Sequence, residues 1–346
     1  MSAAHSESIS SSQIHSYSNG RYQRIELLVA SMIHNLKRRL RKYLWFDIFF
    51  ISLCILEILS FFSCIFVFGK TYWLALSLAC CFFTVFSFFV IRLYIHSRRS
   101  EFLDQLCQDY IFQCKEIIFY QERKIEDNIS LANFAHKLST KLQDLEYHVL
   151  NFNFFSKNVA LVMSKLSCLC FWRDIFDFRE KLFNIAIEEH LKVIQMEPTD
   201  LGAHAALANA YVLLSSLYAD PRKYPDYSEE QWIPKERYGD EIQEKFRFIS
   251  ERAIEEFKIL NEYAPGNPWV HLQLAYSYHD LQMPQEEIRE YEAVLLLRAN
   301  DVETMFKLGM LYFQQGNNAK GLFIYEKIKK ISYKKAKQLI SFYGFM

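Results

Sequence analysis

The chain has 346 residues, of which 51% are hydrophobic and 16% aromatic, and its 40 basic side chains balance 40 acidic ones. That length accommodates two or three domains, and a formal net charge of zero argues against nucleic acid as the default partner. All eight cysteines precede residue 171, with no pair of CxxC motifs. A zinc site is therefore not expected, and free thiols suit a reducing compartment.

The first stretch, 1–36, opens on "MSAAHSESISSSQIHSYSNG", which is Ser-rich and nearly devoid of apolar residues. Such composition predicts a disordered N-terminus leading into a juxtamembrane segment. It reads either as a flexible tail or as an unstructured secretion signal.

A transmembrane hairpin is predicted over 37–99. Its apolar runs, about 43–68 and 71–91, are each long enough to cross a bilayer of roughly 30 Å hydrocarbon thickness. Gly69 and Lys70 interrupt them for only a few residues, so the chain must turn back there, with Tyr72 and Trp73 as interfacial aromatics. Lys37, Arg38, Arg39, Arg41 and Lys42 stand before the first run, and Arg92, Arg98 and Arg99 follow the second. The positive-inside rule then puts both termini on the cytosolic side. The competing reading is a hairpin buried in a globular core. Asp47 lies near the cytosolic edge, within reach of headgroups. Glu57 falls near mid-span, where a carboxylate is costly. It reads either as protonated and hydrogen-bonded to Ser, Thr or backbone of the partner helix or a second copy, or as part of a proton or ion path.

Over 100–160 the apolar residues recur at spacings of three and four. Leu131, Ala135, Leu138, Leu142, Leu145 and Val149 form a heptad seam. This predicts an amphipathic helical hairpin turning near "EDNIS", at Asp127 and Asn128, or a short oligomerising coiled coil. "LNFNFFSKN" then reads as a linker.

The segment 171–346 carries an internal repeat. Leu274 recurs as Leu308, Ala275 as Gly309, Tyr278 as Tyr312, Tyr291 as Tyr325 and Val294 as Ile328, always 34 residues on. With helix–turn–helix spacing, this pattern resembles the tetratricopeptide repeat (TPR) family. Leu207, Ala208 and Tyr211 repeat the first-helix pattern, and Ala253, Phe257, Leu260 and Pro265 the second. The interval between those helices is 33 residues too long, which places an insertion at about 215–247. "YKKAKQLISFYGF" is expected to be a C-terminal capping helix. The fold class predicted is all-α: a two-span transmembrane hairpin, a helical linker or short coiled coil, and a TPR-like α-solenoid.

No nucleotide-binding glycine loop, HExxH, GxSxG or kinase motif is present. His190, His204, His271 and His279 have no second ligand at metal spacing and read as satisfied helix histidines. The expectation is a non-enzyme, with no catalytic residue, cofactor or metal. The TPR resemblance implies a ligand groove lined by Asn209, Trp269, Leu272, Tyr276, His279, Glu303, Phe306, Met310 and Phe313. Where some family members carry a Lys/Asn/Arg clamp for acidic chaperone tails, this chain has Leu272, Phe306, Tyr276 and Met310, and only Asn209 fits. An aromatic groove suits an apolar helix or extended peptide instead. Alternatively, the insertion or the capping helix covers it.

A Ser-rich N-terminus followed by a short-looped two-span hairpin also resembles the inclusion-membrane proteins of obligate intracellular bacteria. The partners expected are a protein or peptide in the groove and the lipid bilayer, with homo-oligomerisation possible and nucleic acid excluded. Three functions are weighed. One is a membrane-anchored TPR scaffold. Another is a bacterial inner-membrane assembly factor for an envelope or secretion complex. The third is a transporter or pore subunit using Glu57. The location implied is a bacterial inner membrane or a host-vacuole (inclusion) membrane.

Overall fold

The computed structural model of the chain describes residues 3–67, 71–150, 157–223 and 232–344. Among these residues every regular element is helical, so the chain is all-α. The chain divides into two compact units, residues 1–186 with 226–234, and residues 187–225 with 235–346.

The first unit is built on α1 (Ala3–Val67) and α2 (Thr71–Ile118). They run antiparallel, as their cross-contacts show. Arg39 lies over the Phe102 ring at 5.1 Å, Arg99 over the Tyr43 ring at 4.9 Å, and Asp47 pairs with Arg92 at 3.8 Å. Further along, Thr84 Oγ1 donates to Glu57 Oε1 at 2.6 Å. The predicted turn at Gly69 and Lys70 lies outside the described residues. Both helices are long and apolar enough to cross a membrane, and their most apolar 18-residue windows are 0% and 6% buried. A helix filling a globular core would bury that surface instead.

The opposite ends of these two helices form a packed core, which corrects three expectations. First, residues 3–36 are helical in place of the expected unstructured lead-in. Ala3 to Val67 is one helix, and Ile25, Val29, Met32, Leu36 and Leu40 are buried. Their spacing of three, four and seven makes an apolar stripe that the Ser-rich composition upstream obscured. The Ser-rich stretch holds neither Gly nor Pro before Gly20, so a helix anchored by that stripe propagates back through it.

Second, 100–160 is not a separate hairpin. Leu103, Leu106, Tyr110 and Cys114 belong to the continuation of α2 and pack with α1, with α3 (Ile125–Lys141) and with the first half of α5 (Lys157–Met196). All six seam residues from Leu131 to Val149 are buried. The seam is not one coil, however. Helix α3 ends at Lys141, Asp144 adopts φ +59°, and the chain restarts as the short α4 (Leu145–His148). Asp is among the few residues that enter the left-handed region at modest cost. The α2–α3 turn lies at 119–124, just ahead of the expected one. Asn128 accepts from Tyr120 Oη at 2.6 Å and donates to Glu122 O at 3.1 Å, while Asp127 accepts from Gln121 N at 3.1 Å. The anticipated turn residues thus fasten the turn from the first turn of α3.

Third, the repeat unit does not begin at 171. Phe171, Ile175, Phe178 and Leu182 of α5 are buried in the first unit's core.

The second unit contains α6 (Leu201–Tyr218), α7 (Asp240–Tyr263), α8 (Pro268–Asp280), α9 (Pro284–Leu297), α10 (Val302–Gln314), α11 (Asn318–Ile331) and α12 (Tyr333–Ile340). Helices α8 and α10 start 34 residues apart, as do α9 and α11, so the pairs repeat as a TPR-like α-solenoid. Local chemistry sets their starts. Asp200, Asn267 and Asp301 cap α6, α8 and α10 by accepting from backbone N–H groups at 2.9–3.2 Å. Pro268 and Pro284 occupy first-turn positions that need no N–H donor.

Part of the expected insertion, 215–247, lengthens α6 and α7, and its stretch 224–231 lies outside the described residues. Its two ends meet where Arg222, paired to Asp220 at 2.7 Å, lies 3.5 Å over the Tyr238 ring. The cap α12 packs on α10 and α11, burying Ala336 and Leu339.

Candidate functional site

The groove positions lie on α6, α8 and α10 of the second unit. Asn209 is exposed on α6. Helices α8 and α10 lie side by side, because the Lys307 ammonium of α10 sits 4.2 Å over the Tyr276 ring of α8. Leu272, Phe306 and Met310 are half-buried against one shared core cluster. Sequence counting therefore brings these positions of two helices together, and it missed Lys307, whose side chain reaches the strip from α10.

The four-ring strip expected from Trp269, Tyr276, Phe306 and Phe313 does not exist as such. Phe313 is core, at 2% exposure. A Cβ on Gly321 would come within 2.4 Å of its ring, and Tyr343 meets it edge to face at 5.5 Å. Phe306 is met edge to face by Phe342 at 6.2 Å, and Glu303 is paired with Lys335 of α12. The capping segment thus occupies the α10 side. The reason is general: a repeat with no further repeat stacked on it must hide its apolar face, and α12 with Phe342 and Tyr343 does so here.

Among the described residues, what stays open is the α8 side. Trp269 is 41% exposed and rests edge to face on Phe257 at 5.9 Å. Tyr276 is 39% exposed and meets Tyr291 edge to face at 6.4 Å. Each ring is therefore held by a buried ring beneath it while presenting a free face or edge. At the end of α8, His279 Nδ1 lies 3.1 Å from Glu287 Oε1. The hydrogen bond to this buried carboxylate raises the His279 pKa above its ordinary value, with burial opposing. Burial raises that of the adjacent Asp280. The open strip is thus aromatic, with the Lys307 ammonium over the Tyr276 ring and the His279–Glu287 pair at the end of α8.

His204 and His271 form a second, repeated arrangement. His204 lies between Glu256 Oε2 at 2.6 Å and the Pro198 carbonyl at 3.0 Å. His271 lies between Glu290 Oε2 at 2.6 Å and the Pro265 carbonyl at 3.2 Å. Each ties the start of one helix to the following helix of the pair and to the preceding loop. They are satisfied structural histidines, as read, although the carboxylate partners lie 52 and 19 residues away and were not visible as neighbours. Among the described residues no group of three or more His, Cys, Asp or Glu is placed to hold a metal.

Glu57, in the apolar half of the first unit, is partnered by Thr84 on the opposite helix, while its Oε2 is buried without a hydrogen bond.

No protein-family model matches the chain. No curated protein matches it either. Among solved structures, it is similar to TTC0263, a thermophilic TPR protein of Thermus thermophilus, at 18% identity and a TM-score of 0.32, over 61% of this chain and 98% of that one. It is similar to YrrB, a TPR protein with an unusual peptide-binding site, at 12% identity and a TM-score of 0.32, over 65% and 96%. It is also similar to an IFIT1 monomeric mutant with Gppp-AAAA, at 16% identity and a TM-score of 0.34, over 68% and 58%. Likenesses of this degree assign neither ligand nor partner to this chain.

Proposed function

We propose that the chain is a membrane-anchored helical-repeat scaffold, which holds a protein partner on the open face of α8 and performs no catalysis. The observation that carries this reading is the asymmetry of the aromatic strip. Its α10 side is closed by the chain's own cap, while Trp269, Leu272 and Tyr276 stay accessible on a rigid support. Exposed, pre-positioned aromatics are what binding hot spots are made of. Lys307 at the rim favours an apolar helix or extended peptide with an acidic residue beside its anchor.

The anchoring half of the proposal rests on the exposed apolar surfaces of α1 and α2, to which a bilayer gives a partner. Both termini then face the cytosol, since the basic residues flank the two runs on the side away from the turn. A bacterial inner membrane and a host-vacuole membrane both satisfy this topology. Glu57 fits a structural tie within the hairpin, because Thr84 donates to it across the two helices.

Two measurements test the proposal. The full-length chain should resist alkaline carbonate extraction from membranes. A photo-crosslinking residue at position 276 should capture one defined protein that the same residue at position 323, on α11, does not. That capture should vanish in Leu272→Arg. Equal capture from both positions, or capture that survives Leu272→Arg, removes α8 from the interface.

A further inference from the structure

Where the apolar surface of α1 and α2 gives way to basic residues, the two helices enclose a cleft of about 350 Å³. Its polar lining is Arg39, Tyr43, Tyr94, Arg98, Glu101 and Gln105. We infer that this cleft is a binding site for the phosphate headgroup of an anionic phospholipid. The inference rests on the membrane reading above.

The helix register fixes the depth of the cleft. The contacts of Arg39 with Phe102, Tyr43 with Arg99 and Asp47 with Arg92 place these residues on neighbouring levels of the hairpin. One turn beyond, the exposed side chains are Ile48, Phe49, Ile51, Phe86 and Phe89. The cleft thus sits at the border of the predicted hydrocarbon zone, at headgroup level. Exposed Trp45 and Tyr94 lie at the same border, where amphipathic aromatics collect.

Charge favours an anion. Arg98 is paired with Glu101 at 2.8 Å, which uses the only carboxylate lining the cleft. Among the described residues Arg39 has no carboxylate partner, and its guanidinium only rests against the Phe102 ring. The lining therefore carries two guanidiniums against one carboxylate. A guanidinium matches phosphate oxygens with two parallel N–H donors, which an ammonium cannot do. Tyr43, Tyr94 and Gln105 line the same space, and their hydroxyl and amide groups are of the kind that donate to phosphate. The lipid's acyl chains would then continue along the apolar surface that begins at Ile48. A free phosphate would use the same donors but leave that surface unused, so lipid is the occupant the geometry favours.

The test uses the purified full chain in detergent, with native mass spectrometry in equimolar phosphatidylglycerol and phosphatidylcholine. The wild type should retain phosphatidylglycerol in preference by about tenfold or more, as two basic side chains at a membrane surface allow. Arg39→Gln with Arg98→Gln should abolish the preference. Arg38→Gln with Lys42→Gln, which removes equal charge from the same basic collar, should keep it. Equal retention of both lipids overturns the inference, as does an equal loss in the collar variant. Displacement of the lipid by excess inorganic phosphate overturns the lipid in favour of a free phosphate. Extraction of the chain from membranes by alkaline carbonate overturns the membrane reading and this site together, whereas firm insertion without lipid preference overturns this site alone.

Discussion

The sharpest test of the packing around the last repeat is Gly321→Ala. A Cβ at this position of α11 would lie 2.4 Å from Phe313 Cε1 and 2.6 Å from Cδ1. The ring cannot easily retreat, since it is 2% exposed and Tyr343 packs on it at 5.5 Å. Overpacking of this kind costs about 1–3 kcal/mol. Against it stands the gain from replacing glycine by alanine inside a helix, up to about 1 kcal/mol. A contact this short puts the cost in the upper part of its range, so the net effect is a loss of about 1–2 kcal/mol, or roughly a five- to thirtyfold fall in local protection. Hydrogen exchange of peptides from α10, α11 and α12 in the full chain reads this directly. Gly266→Ala is the control, because its Cβ would meet nothing within 4 Å. Phe313→Leu should recover part of the loss when combined with Gly321→Ala, as contacting residues couple in double-mutant cycles. Unchanged protection in Gly321→Ala, or an equal fall in Gly266→Ala, would refute this account of the repeat's core.

Two further predictions follow from the same unit. Phe313→Ala should destabilise α10–α12 by about 3–5 kcal/mol, while Tyr276→Ala should leave protection of these helices nearly unchanged and abolish crosslinking from a probe placed at Trp269; the reverse pattern would restore Phe313 to the groove. Burial opposes charge on His204, but its hydrogen bonds to Glu256 and the Pro198 carbonyl, with the Asp200 charge nearby, outweigh this and raise its pKa. Its contribution to stability is therefore fully present below the unfolded value of about 6.5 and is lost as pH rises through the higher folded value. The difference in α6–α7 protection between wild type and His204→Gln should shrink across that rise, and a difference that grows with pH would contradict the assignment.

Most of the architecture could be read from periodicity, because periodicity is what packing leaves in a sequence. The pairs Leu274/Leu308, Ala275/Gly309 and Val294/Ile328 are all buried, and they recur at the interval of one helix pair. Gly309 is small for the reason its position suggests: a Cβ would approach Leu339 of α12 to 2.7 Å and Ile324 of α11 to 3.1 Å. The stripe from Ile25 to Leu40 was equally present but was overshadowed by the Ser-rich residues before it. What periodicity cannot encode is which exposed face another part of the chain will cover. Phe306 and Phe313 occupy groove positions by count, yet Phe342 and Tyr343, beyond the last regular helix, take those faces. The carboxylate partners of His204 and His271 were hidden for a related reason, since each is set by the packing of one helix on the next.

The same covering limits how the proposed scaffold would bind. A stable protein–protein interface buries about 800 Å² on each partner. One open face of the 13-residue α8, with Trp269, Leu272 and Tyr276 as anchors, supplies only a fraction of that. A partner held by this strip alone would dissociate readily. If the partner is also confined to the same membrane, its second encounter becomes local, and the effective concentration replaces the missing area. The two halves of the chain then make sense together. On the reading proposed above, the hairpin would hold the repeat unit at the bilayer, and the short recognition face would need only to choose among partners already gathered there.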